Sequence, residues 1–81
     1  MSSEQTLERV TVRTVKIDDE AITLDVVTRG EKRFVFEIMR ENGNRMVASS
    51  DEYKKAKRAA KAGKSIWKRT VKTALQEKLD Q

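Results

Sequence analysis

With 81 residues, no cysteine and no histidine, the chain has room for one modest core and lacks disulfide, thiolate and imidazole chemistry. These absences exclude most catalytic and metal-binding classes, so a non-enzymatic binding module without cofactor or metal is expected. The net charge of +5 is unevenly placed along the chain, and no apolar run approaches the roughly 18 residues of a membrane span; a soluble cytoplasmic protein is expected.

Residues 1–6 are polar and read as a flexible N-terminal arm, and residues 7–49 read as a four-stranded β-meander. The first segment, Leu7 to Ile17, alternates through Val10 and Val12 and then shifts phase to Val15 and Ile17, which predicts a bulge near Thr14. Asp18, Asp19 and Glu20 form the first turn. Three acids adjacent in sequence do not converge on a cation, so no metal site is assigned there.

The second segment, Ala21 to Thr28, puts Ile22, Leu24 and Val26 on one face. The third, Arg33 to Arg40, does the same with Phe34, Phe36 and Ile38. An odd loop around Gly30 would set Leu24 opposite Phe36. Asn42-Gly43 is a type I′ hairpin signal, and a two-residue loop there sets Val47 opposite Ile38 and Met46 opposite Met39. Val27, Val35, Met39 and Met46 then fall on the face away from the core. That placement is either ordinary exposure or a patch for a second subunit.

A helix is expected over residues 50–79. Ser49 and Glu52 fit a capping box, which starts it at Ser50 or Asp51. The serines there are read as caps rather than nucleophiles, because no histidine exists to activate them. At 100° per residue, Tyr53, Ala56, Ala60, Gly63, Trp67, Val71 and Ala74 share a side, flanked by Ala59, Ile66 and Leu75. On that stripe Trp67 reads as a packing residue, not as a nucleobase-stacking ring.

Opposite the stripe, Lys54, Lys57, Arg58, Lys61, Lys64, Lys68 and Lys72 recur every three or four residues as a cationic ridge. The segment from Tyr53 to Gln76 carries +9 with no acid, which leaves −4 on the remainder. Solubility alone accounts for a charged helix face, but a merely solvated helix normally intersperses Glu, since like charges at i and i+4 repel. A helix of this extent spans about 43 Å against about 23 Å for strands of seven residues. Its second half should therefore overhang the sheet, and either a kink at Gly63 or a homodimer contact through Trp67, Val71 and Leu75 should cover it.

The runs Arg33-Phe34-Val35-Phe36-Glu37, Asn42-Gly43, Val47-Ala48-Ser49-Ser50, Glu52-Tyr53-Lys54 and Gly63-Lys64-Ser65-Ile66 together resemble one repeat of the YegP-like small proteins. The resemblance covers roughly Arg33 to Arg69 and implies a short antiparallel meander followed by a helix. It supplies no catalytic residue. The chain departs from the pattern in its extra leading strand pair, its more basic helix and its lack of a second repeat.

Two function classes follow. In one, the ridge lies along nucleic acid phosphates without reading bases. In the other, the module is an inhibitor, adaptor or assembly factor of the kind phage and plasmids encode, docking on an acidic protein surface with the same ridge.

Overall fold

A computed structural model describes residues 8–80; the arm expected over residues 1–6, and Leu7 of the first expected strand, lie outside them. Four strands, β1 (Glu8–Ile17), β2 (Glu20–Gly30), β3 (Arg33–Arg40) and β4 (Arg45–Ala48), form one antiparallel sheet in sequential order, followed by one helix, α1 (Ala56–Leu79). The ββββα order is the one expected.

The strands form where β-branched and aromatic residues alternate with polar ones. Ile22, Leu24 and Ile38 are fully buried beneath α1, with Ile17, Val26, Phe36, Ala59 and Ala74 around them. Val12, Val15, Met46, Val47, Tyr53, Ala62, Ile66, Trp67 and Val71 are partly buried against this core.

Each connection corrects the sequence reading in detail. The β1–β2 register shifts between Thr11 and Arg13, so the bulge is at Val12, not near Thr14. A bulge at Val12 puts Val10 and Val12 on the core face before the slip and Val15 and Ile17 on it afterwards. Asp18 and Asp19 both have positive φ, 51° and 68°, in a two-residue turn that the short Asp side chain tolerates. Leu24 pairs with Ile38 and Val26 with Phe36, so the β2–β3 register is two residues from the expected one. The chain reverses at Glu31-Lys32, with an irregularity between Thr28 and Gly30.

The Asn42-Gly43 turn is also different. Gly43 N–H donates to Arg40 O at 3.0 Å and Arg40 N–H donates to Asn44 O at 2.8 Å, which is a three-residue loop with Gly43 in the left-handed region at φ 94°. Val47 still pairs with Ile38, but Met39 now pairs with Arg45. Met46 is therefore displaced onto the core side. Of the apolar patch expected on the open face, Val27 and Val35 are already buried and Met39 is half-buried.

The largest correction is at the helix start. Residues 49–55 are a bent, non-helical connection that touches β3 at Ser49 and Tyr53, because β4 ends at Ala48 and leaves the backbone of β3 unpaired beyond it. Tyr53 and Phe34 exchange backbone hydrogen bonds of 2.7 and 2.8 Å, and Ser49 N–H donates to Phe36 O at 3.0 Å. The capping box does not form: Ser49 Oγ accepts from Phe36 N–H and donates to Asp51 O, while Glu52 takes a bidentate pair of hydrogen bonds from Arg33. The N-cap of α1 is Lys55, without a side-chain cap.

The late start and the greater length of β2 together remove the length mismatch. The 24-residue helix spans about 36 Å and the 11-residue β2 about 37 Å. The two C-terminal turns of α1 are tied to the sheet by Arg40, which binds Glu20 through Nε and Nη2 at 3.1 and 2.9 Å and Glu77 at 3.2 Å. Trp67 and Val71 pack on the sheet of their own chain, whereas Leu75 is 45% exposed. The helix length therefore does not call for a second subunit, and α1 runs through Gly63 as one helix.

At Gly63 helix and sheet approach closely: a Cβ there would lie 2.6 Å from Leu24 Cδ1 and 3.2 Å from Phe36 Cγ. The Gly43 site is open in space but closed by its φ. Gly63→Ala should therefore destabilise the fold by about 1–3 kcal/mol through overpacking. Gly43→Val should cost about 1–2 kcal/mol or more through left-handed strain alone. Urea unfolding of both variants checks this; a Gly63→Ala protein as stable as wild type would show that the helix can lift without loss.

Candidate functional site

The solvent face of α1 is built by its periodicity. Ala59, Gly63, Thr70 and Ala74 are the helix residues buried on the sheet, and Lys57, Lys61, Lys64, Lys68 and Lys72 project on the far side, all exposed. Their spacing confines them to an arc of about 80° and a length of about 22 Å. Arg58 and Arg69 are exposed on the flank of this ridge that faces β4. Lys54 is not on the ridge, since it precedes the helix in the bent connection; it lies beside Tyr53, Lys55 and Arg58 at the helix entrance.

The ridge differs from the body in electrostatic state. Arg9, Arg33, Arg40 and Arg45 are each ion-paired with a carboxylate. Among the described residues, no such pair involves Lys57, Arg58, Lys61, Lys64, Lys68, Arg69 or Lys72. The first turn of α1 contains no acid, so the positive end of the helix dipole adds to the cationic field.

A furrow runs along the β4 side of α1, a feature the sequence reading missed. It comprises three adjoining hollows: one of about 350 Å³ by Tyr53 and Arg58, one of about 290 Å³ over Val47, Tyr53 and Ile66, and one of about 460 Å³ by Met46, Val47 and Arg69. Tyr53 borders the first two and Val47 the last two, so the hollows follow one another along this flank of the helix. The furrow exists because β4 has only four residues and leaves this flank of the helix uncovered. The hydrophobic periodicity of the helix does not reveal it.

The opposite face of the sheet carries a second unforeseen arrangement. Asp25 and Glu37, cross-strand neighbours on β2 and β3, are buried at 4% and 7% exposure. Arg9 spans them, with Nη1 2.9 Å from Asp25 and Nη2 2.7 Å from Glu37; Thr11 donates to Asp25 at 2.8 Å and Arg45 to Glu37 at 3.1 Å. Burial opposes ionisation of Glu37, but the hydrogen bonds from Arg9 and Arg45 outweigh it and hold its carboxyl below the usual range. Acids at alternate positions of two apolar strands were the available sequence signal.

Among the described residues no helix is long and apolar enough to cross a membrane, and no three acidic side chains converge to hold a metal ion. No protein-family description, no curated protein and no solved structure matches the chain.

The depressed Glu37 value fixes the sign of the pH response. A carboxyl with a lowered folded-state pKa contributes stability that is full above its unfolded value of about 4.3 and is lost as pH falls through the lower folded value. Chemical denaturation should therefore show stability declining below about pH 5, and Glu37→Gln should make that decline shallower. An unchanged acid slope in the variant would remove Glu37 as its source.

Proposed function

We propose that this chain is a non-enzymatic nucleic-acid-binding module that lays the solvent face of α1 along phosphates. The observation that carries the reading is the contrast in pairing: Arg9, Arg33, Arg40 and Arg45 of the sheet are neutralised by carboxylates, and Lys57, Arg58, Lys61, Lys64, Lys68, Arg69 and Lys72 of the helix are not. Unpaired lysines at this density repel one another, and a polyanion relieves that repulsion while releasing its own counterions. The dipole at the uncapped start of α1 adds attraction for phosphate.

The ridge carries lysine, a point charge suited to phosphate, rather than a set of side chains aimed at base edges in a duplex groove. Binding of duplex by the ridge is therefore expected to be sequence-tolerant. The absence of histidine and cysteine, together with the engagement of Ser49 Oγ in backbone hydrogen bonds, favours a binding role over catalysis. One ridge provides these contacts, so the reading does not require a homodimer. A module of this kind would work in the cytoplasm, where nucleic acid is accessible.

The test is the salt dependence of affinity. If Lys57, Lys61, Lys64, Lys68 and Lys72 each neutralise a phosphate, log affinity for duplex should fall against log salt with a slope near −4.5, at about −0.9 per contact. Replacing Arg58, Lys61, Lys64 and Lys68 with Gln preserves helix propensity and should bring the slope to about −1.8. Fluorescence anisotropy across a salt series reads both. A wild-type protein with no affinity for DNA or RNA at low salt would instead direct the ridge to an acidic protein surface.

A further inference from the structure

We propose that the furrow between β4 and α1 is a binding site for single-stranded nucleic acid, with bases resting on its apolar floor and phosphates held at its two ends. The proposal rests on the nucleic-acid reading of the ridge and goes beyond it by assigning a second, base-contacting surface and a preference for unpaired strands.

The floor is made by Tyr53, Val47, Met46 and Ile66, all half-buried. Apolar side chains and an aromatic ring left accessible in a groove offer stacking and contact to any base, because every base presents a π-face. The cations are Arg58 at one end and Arg69 at the other, exposed and eleven residues apart on α1. That separation is about 17 Å along the helix, the length of about five stacked nucleotides at 3.4 Å each. Two acids border the furrow, and each is occupied: Glu52 by Arg33 and Glu77 by Arg40. The furrow is thus electrostatically open to an anion along its length.

Other occupants fit less well. A duplex keeps its bases paired and would leave the apolar floor unused. An extended peptide would need the backbone edge of β4, but that strand has only four residues and its pairing with β3 is irregular at Met46, so it offers a short and distorted template. A flexible single strand of alternating charge and flat apolar surface matches both features.

The experiment compares three fluorescent ligands of about fifteen nucleotides, long enough to span the furrow and the ridge: oligothymidylate, an abasic strand of the same length and a duplex. Oligothymidylate should bind about tenfold or more tightly than the abasic strand. Tyr53→Leu keeps the backbone bridge to Phe34 and apolar bulk but removes the ring; it should weaken oligothymidylate binding about fivefold or more and leave duplex and abasic affinities unchanged. Arg69→Gln, at an exposed helix position, should also weaken oligothymidylate binding and serves if Tyr53→Leu fails to fold. Lys61→Gln with Lys64→Gln should weaken all three ligands together. Equal affinity for abasic and base-bearing strands, wild-type binding by both furrow variants, or equal competition by a polyglutamate peptide would each overturn the furrow site while leaving the ridge reading standing. No binding of any ligand would overturn both.

Discussion

The close approach of Gly63 to Leu24 and Phe36 fixes the position of the helix over the sheet, and the other features follow from that position. With no side chain between them, α1 settles directly on β2 and β3, where Ala59 and Ala74 are fully buried at either end of the contact. A helix anchored along that line must turn its remaining faces outward. The Lys57 to Lys72 series becomes the outer surface of the molecule, and the flank beside the short β4 becomes a furrow.

Charge is partitioned in the same geometry. Arg9, Arg40 and Arg45 of the sheet pair with carboxylates of the sheet, in part across buried contacts where an uncompensated charge would be severely destabilising. The helix has no carboxylate from its first residue until Glu77, and Glu52 and Glu77 are engaged by Arg33 and Arg40. The cations that remain are exposed, where water meets their solvation at little cost to folding. Fold stability and an external cationic field thus draw on separate sets of residues, so ligand binding can be altered without disturbing the core.

The open sheet face obeys another constraint. Asp25 and Glu37 lie side by side in low-dielectric surroundings and would repel without Arg9 between them. Because Arg9 reaches from β1 across β2 to β3, the pairing ties three strands and suits only one register. A slip of one residue would move these acids onto the apolar side of the sheet.

The sequence by itself determined the order of elements and which residues share a face. Period-two alternation in Ile22, Leu24 and Val26 and in Phe34, Phe36 and Ile38, and the helical spacing of Lys57, Lys61, Lys64, Lys68 and Lys72, are local properties that survive any tertiary arrangement. It also marked a bulge in β1 and a glycine-dependent turn at Gly43, because phase shifts and positive φ leave local signatures. Tertiary structure decided where the helix begins, the β2–β3 register, the furrow and the ion pairs. Ser49 and Glu52 satisfy a capping pattern locally, yet the unpaired backbone of Phe34 and Phe36 and the guanidinium of Arg33 compete for the same groups and win. Those competitors are 13 to 19 residues away, and a partner at that distance exists only once the sheet has formed.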